Sequence, residues 1–334
     1  VSLAARRRGK KKSGRSYAWR YRGRIVACVF VEVIIICALV IMIGWNKGVK
    51  EWFEQFEQPV LKEVDISGIN SPNAILMQAR GGKILGEING EAQIYPASMT
   101  KIMTVILGIE NFDDLDEKIT LTNEMFSGLY EQDATQAGFQ PGEEVRVIDL
   151  LYGAMLPSGA ECCIALADTI SGSEADFAEL MNKKARKLGM ENTHFCDSTG
   201  LHNPDHYSTV KDIAVLMKYC IKNDTFREIV ETSRHSTGVT NIHPDGITYY
   251  STMFKNLSDP TVTGGKILGG KTGYTSEAGH CLVSFAEIEG REYIFVSAGA
   301  SGADGNTIPH IQDAVTVYNR VGAAVEAKMN DNNK

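Results

Sequence analysis

The sequence predicts an α+β fold: one antiparallel sheet flanked by helices, plus an all-helical subdomain, preceded by one transmembrane helix. Three observations predict it. An early strand-turn-strand pattern comes first, a long middle stretch carries apolar residues at helical spacing, and three consecutive strand-like runs are followed by a last helical pattern. Of 334 residues 43% are hydrophobic, which suits a globular core.

At the amino end, residues 1–24 contain ten of the 34 Lys and Arg residues and no acid, whereas residues 46–334 hold the other 24 against 40 of the 41 acids. So acidic a body has no electrostatic case for binding nucleic acid. The next segment explains the basic arm: residues 25–45 are apolar apart from Glu32, and a helix of that length reaches about 30 Å, the thickness of bilayer hydrocarbon. The positive-inside rule then expects a cytoplasmic amino terminus and everything from residue 46 outside. Trp52, Phe53 and Phe56 among Glu and Lys read as a short amphipathic helix on the membrane, within residues 46–65. The expected division is a basic tail at 1–24, an anchor at 25–45, a juxtamembrane linker at 46–72 and a domain at 73–334.

Within that domain Ala74–Ala79 reads as a strand, Gly81-Gly82 as a tight turn and Lys83–Ile88 as the hairpin partner. A helix begins at Pro96-Ala97 and continues through Ile102–Ile109, a run too apolar for a surface helix and therefore expected at the protein's centre. Val147, Leu150, Leu151, Met155 and Leu156 recur at helical spacing, and a second helix follows Pro157-Ser158-Gly159. Glu174–Leu188 and Thr209–Asn223 are amphipathic helices separated by the loop Asp197–Thr209. Ile267–Thr272, Cys281–Glu287 and Tyr293–Ala298 read as neighbouring strands, and His310–Lys328 as a closing helix.

Of seven cysteines Cys28 and Cys37 fall in the apolar run, and the other five, Cys162, Cys163, Cys196, Cys220 and Cys281, without C-x-x-C spacing, read as buried free thiols rather than a disulfide framework or a zinc site. His202 and His206 straddle Asn203-Pro204, so they cannot share a helix face as metal ligands; a loop-bracing role is expected, and no metal.

The chemistry is concentrated in Ser98-Met99-Thr100-Lys101, at the start of the central helix. Residues three apart on a helix face the same way, so the Ser98 hydroxyl and the Lys101 amine come within reach of each other. An amine held in an apolar site near the positive end of a helix loses part of its preference for charge, and once neutral it can take the serine's proton. The same spacing recurs at Ser208-Thr209-Val210-Lys211, which is expected to cap the following helix. What distinguishes the first copy is Lys271-Thr272-Gly273, 170 residues after Lys101. This tripeptide on an edge strand supplies a second cation, a hydroxyl for a substrate carboxylate, and a residue with no side chain to obstruct close approach. Ser158, at the mouth of a helix, is the expected proton relay.

The order S-x-x-K, serine turn, K-T-G resembles the D-alanyl-D-alanine carboxypeptidase family, the low-molecular-mass penicillin-binding proteins of the serine β-lactamase-like superfamily. Tyr95–Thr104, Met190–Phe195, Thr199-Gly200-Leu201, His206–Thr209 and Gly270–Thr275 all look like that family's segments, and the resemblance covers roughly residues 73–324. It implies a DD-peptidase-like catalytic domain, which the amino-terminal helix read from residues 25–45 would hold on the outer face of a bacterial cell membrane in place of the family's C-terminal membrane-binding tail. The family's frequent additional C-terminal β-domain is not expected. The implied reaction removes the terminal D-alanine from peptidoglycan stem peptides ending in D-Ala-D-Ala, through an acyl-enzyme on Ser98 and without a cofactor. Lys101 would be the acylation base, Lys271 and Thr272 would hold the substrate's terminal carboxylate beside Gly273, and the backbone N–H groups of Ser98 and Tyr274 would form the oxyanion hole. β-Lactams, which mimic the substrate terminus, would acylate the same serine.

One departure bears on this reading. The family's middle motif ends in asparagine, whereas here it is Ser158-Gly159-Ala160. Loss of that amide suggests the alternative of a catalytically weakened wall-binding or scaffold protein. A serine β-lactamase is the other alternative; Glu174 and Glu179 follow the motif, but neither sits in a recognisable loop with the asparagine partner that glutamate-driven deacylation requires.

Overall fold

Strands buried on both faces explain the near-continuous apolar runs of the sequence. In β1 (Asn73–Gln78) Ile75 and Met77 face one hydrophobic cluster while Ala74 and Leu76 face another, as the two-residue side-chain period of a strand requires. The structure is a computed structural model and describes residues 61–257, 259–302 and 308–332. β1 pairs with β2 (Ile84–Ile88) on one side and with β10 (Arg291–Ala300) on the other. The sheet continues through β9 (Gly279–Ile288) to β8 (Gly265–Thr275), all neighbours antiparallel, and ends at the two-residue β7 (Thr261–Val262). Because β7 pairs only with Gly265 and Lys266, the rest of β8 is an open edge.

One face of the sheet packs on the helices. At their centre lies α1 (Lys101–Asn111), whose Ile102, Met103, Val105 and Ile106 have no solvent exposure; burying such side chains contributes roughly 1.5–3 kcal/mol each. Around it stand α2 (Val147–Met155), α3 (Ala160–Ser171), α4 (Glu174–Leu188), α5 (Val210–Cys220) and α6 (Asp224–Glu231). Small pairs β3 (Lys118–Thr120) with β4 (Glu144–Arg146), and β5 (Arg234–Ser236) with β6 (Thr248–Tyr250), line the helical part. The short α7 (Thr252–Asn256) returns the chain to the sheet.

The other face packs on α8 (Pro309–Asn332), through Ile311, Ala314, Val317, Tyr318, Val321 and Val325. Leu61, Val64 and Ile66, which composition alone places in a linker, are buried in that layer, and Asp313 of α8 accepts hydrogen bonds from the Asn70 and Ser71 backbone at 2.8 and 2.9 Å.

The expected single-pass membrane location is corrected here. Among the described residues no helix is long and apolar enough to cross a membrane. The longest, α8, has 24 residues but carries Asp313, Arg320, Glu326, Lys328 and Asp331, and its apolar stripe is spent on the sheet. Residues 61–65 carry no helix, and the 25–45 run lies outside the described residues. Of the cysteines, Cys162, Cys163, Cys220 and Cys281 are buried free thiols and Cys196 is partly exposed.

Candidate active site

Ser98 sits on a single 3-10 turn, Ala97–Thr100, that feeds α1. Ala97 has φ +46°, a left-handed conformation costing about 1–3 kcal/mol in a residue with a side chain. The turn is held from behind by the 197–206 loop. Gly200 (φ +79°) passes so near that a Cβ there would lie 1.9 Å from the Ala97 carbonyl oxygen. Only glycine fits.

The Lys101 side chain, 3% exposed, donates to Ser98 Oγ at 3.1 Å and to the Thr199 carbonyl at 2.6 Å. The loop carrying that carbonyl is anchored on several sides. Asp197 Oδ1 accepts from the Thr199 and Gly200 amides, both at 2.7 Å, and Thr104 Oγ1 donates to the Ser198 carbonyl at 2.6 Å. His206 lies between Asp197 Oδ2 (3.1 Å) and Thr100 Oγ1 (2.9 Å), tying the loop to the nucleophile's own turn. Burial by itself would raise the Asp197 pKa; the contacts with His206 and Thr199 outweigh it and hold the carboxyl down at about 2.

Against this turn runs the open edge of β8, which carries the second lysine near enough for the Lys101 charge to act on it. Lys271, 1% exposed, donates to Ser158 Oγ at 3.0 Å and to the Thr272 carbonyl at 2.9 Å. Its burial, with the Lys101 charge nearby, pushes the Lys271 pKa well below the usual lysine range. Ser158 has φ +74°, a second strained residue, and its hydroxyl is not used as a helix cap: the N-cap of α3 is Gly159, with no side-chain cap bond. Gly273 meets the nucleophile turn so closely that a Cβ would lie 3.0 Å from the Ser98 amide nitrogen. Tyr274, the next residue, is 61% exposed at the cleft's rim, its ring 4.6 Å from that of His280.

Ser98, Lys101, Ser158, Lys271, Thr272 and Gly273 are thus brought together. The second S-x-x-K copy is not part of the cleft: Ser208 Oγ bonds Thr193 Oγ1 at 2.8 Å, Thr209 caps α5 through the Asp212 amide, and Lys211 pairs with Glu91. Neither glutamate considered for deacylation is free for it. Glu174 accepts from the Ser198 amide and hydroxyl, and Glu179 is exposed on α4.

Three contributors escaped the sequence. The Thr199 carbonyl is a backbone group and leaves no residue-type signal. Glu161, with 0% exposure, binds the Ala137 and Gly138 amides at 2.6 and 2.9 Å, fixing the segment that packs on Gly159. Its place beside the serine turn was visible, its partners were not. Thr252 Oγ1 lies 2.7 Å from Thr272 Oγ1, and no motif marks it. Among the described residues no group of His, Cys, Asp and Glu could hold a metal ion.

Comparison with known proteins agrees with this geometry. A family model described as D-alanyl-D-alanine carboxypeptidase matches residues 60–302. The D-alanyl-D-alanine carboxypeptidase DacF of Bacillus subtilis is 35% identical over 231 residues, covering 69% of this chain and 57% of its own length. DacC of Escherichia coli is 33% identical over 262 residues, covering 71% and 58%. The chain therefore spans under three fifths of the length of these relatives. Among solved structures, the DD-transpeptidase of Streptomyces K15 superposes with a TM-score of 0.66 at 27% identity, covering 81% of this chain and 99% of that one. The mixed fold of helices and antiparallel sheet is that of the DD-peptidases.

Proposed function

This chain belongs to the D-alanyl-D-alanine carboxypeptidase family, and from that premise we propose that it removes the terminal D-alanine from peptidoglycan stem peptides ending in D-Ala-D-Ala. One observation carries the reading: Ser98 Oγ lies 3.1 Å from the Lys101 amine, opposite a K-T-G edge whose glycine runs so near that a Cβ on it would lie 3.0 Å from the Ser98 amide nitrogen.

In the proposed cycle the Lys101 amine takes the Ser98 proton as Oγ attacks the carbonyl carbon of the penultimate D-alanine. The developing oxyanion is received by the N–H groups of Ser98 and Tyr274, where losing one donor typically costs ~10²- to 10³-fold in turnover. Lys271 and Thr272 hold the leaving residue's carboxylate. The proton held on Lys101 passes by way of Ser158 to the leaving amine, D-alanine departs, and water, giving a proton to the freed Lys101 amine, hydrolyses the acyl ester as that proton returns to the Ser98 oxygen. A carboxylate arriving at Lys271 favours the charged form that burial disfavours in the free protein. β-Lactams follow the first half of the same path.

The structural likeness to the Streptomyces K15 DD-transpeptidase supports a second reading in which an amine, not water, accepts the acyl group. Incubating residues 59–334 with a fluorescent penicillin, and separately with a D-Ala-D-Ala pentapeptide with and without an amine acceptor, separates these outcomes. Labelling at Ser98 with release of D-alanine supports the carboxypeptidase, and a peptide adduct on the acceptor supports the transpeptidase. Rapid penicillin turnover points to a β-lactamase. A chain that is neither labelled nor active is a binding protein, as Ala160 would favour.

A further inference from the structure

The K-T-G threonine does not stand alone. Thr252, the first residue of α7, places its Oγ1 2.7 Å from Thr272 Oγ1. The same residue's amide donates to the Leu156 carbonyl at 3.0 Å, two positions before Ser158. Thr252 therefore touches both the strand that would hold the substrate terminus and the segment leading to the serine turn. Its own position is well determined: Ser251, 5% exposed, caps α7 and donates its amide to the Ser233 carbonyl at 2.9 Å, and Met253, 1% exposed, anchors α7 in the layer against β8.

A hydroxyl has one proton to donate. In a pair of hydroxyls one must donate and the other accept, and the direction decides what Thr272 offers the cleft. If Thr272 donates to Thr252, its proton is unavailable to a substrate carboxylate, and only lone pairs face the anion. If Thr252 donates, the Thr272 proton is free to point at the carboxylate. An anion beside Thr272 selects the second arrangement, because a bond from a hydroxyl to a charged acceptor is stronger than one between two neutral hydroxyls.

We propose that Thr252 is a positioning residue: by donating to a lone pair of Thr272 Oγ1 it fixes the direction of the Thr272 O–H and polarises it toward a ligand carboxylate, and thereby sets the preference for ligands ending in a free carboxylate. The inference rests on the reading of Thr272 as part of the carboxylate site and deepens it. It differs from direct recognition in that Thr252 acts through Thr272 and need not touch the ligand. Its signature is selectivity between an acid and its neutral counterpart, with the reacting serine unaffected.

The test compares the wild type, Thr252→Val, which keeps the shape and removes the hydroxyl, and Thr252→Ser, which restores it. Acylation rates are measured by the mass shift at Ser98 with benzylpenicillin and with its methyl ester, and KM and kcat with a D-Ala-D-Ala peptide and its C-terminal amide. Thr252→Val is expected to lower the acid-over-ester preference about tenfold and to raise KM for the acid peptide by a similar factor, with kcat changed less than threefold; one hydrogen bond to a charged group is worth that much. Thr252→Ser should recover the preference. An unchanged acid-over-ester ratio in Thr252→Val, or an equal loss on acid and neutral ligands, would overturn the proposal in favour of a purely structural role. A wild type that releases no D-alanine but is acylated with the acid preferred, the preference falling in Thr252→Val, sinks the carboxypeptidase reading and leaves this one standing. No acylation by either compound removes both.

Discussion

The cleft contains two serine-lysine pairs, and they are built in opposite ways. Ser98 and Lys101 lie three residues apart on one turn, so their 3.1 Å contact follows from helical geometry. Ser158 and Lys271 are 113 residues apart and meet at 3.0 Å only because a strained turn presses against the open edge of β8. The surroundings differ as well. Lys101 is oriented by the Thr199 carbonyl, and the loop bearing it is fastened by Asp197, Thr104 and His206. Lys271 has two neutral acceptors and a like charge nearby, which with its burial leaves its pKa depressed. A local pair tolerates most changes that spare its helix, whereas a distant pair depends on everything that holds the walls together.

The largest expected effect bears on the local pair. Lys101→Met should slow acylation by fluorescent penicillin on the order of 10³-fold or more, against about 10²-fold for Ser158→Ala, since base and relay contribute unequally. Equal losses would erase the distinction between the pairs. Next comes Gly200→Ala, where the added methyl meets the Ala97 carbonyl at 1.9 Å in a backbone conformation that disfavours any side chain. Denaturant unfolding should show a loss of about 2–4 kcal/mol, with acylation falling alongside; a smaller loss would mean that the loop and the nucleophile turn move apart easily.

The loop that serves the local pair can also be titrated. The Asp197 pKa of about 2 lies below the ordinary 3.8, so its contribution is fully present above about pH 4 and is lost as pH falls through 2. That is worth about 2 kcal/mol between those limits. Asp197→Asn should be less stable at pH 6 and flatter across this acid range; parallel wild-type and variant curves would show that the aspartate is not the anchor. The smallest effect concerns the distant pair. Ser158→Gly relieves φ +74° and should raise the melting free energy by about 1 kcal/mol while acylation still falls, a separation of stability from rate. A destabilised glycine variant would place the hydroxyl's bond to Lys271 above the strain in energy.

Much of this was readable in advance because its cause is local. The apolar run 102–109 could only be a buried helix, and Ile267–Thr272, Cys281–Glu287 and Tyr293–Ala298 fall within β8, β9 and β10. The brief elements were not readable: β3, β4 and β7 have two or three residues each, too few for any period to emerge, and their pairing comes from neighbours far along the chain. Leu61, Val64 and Ile66 looked like linker because their three apolar side chains are spaced among charges, and only α8 and β2 give them something to pack on.

The residue types and spacings of the chain were enough by themselves to specify the buried central helix, the three long strands and the Ser98–Lys101 contact, since each depends on periodicity or on a separation of a few residues. Tertiary structure alone decided that Lys271 would meet Ser158, that a loop carbonyl would steer Lys101, and that Thr252 would stand against Thr272. Contacts across a hundred residues are chosen by the packing of whole layers, and a hydrogen-bond partner supplied by the backbone has no letter in the sequence.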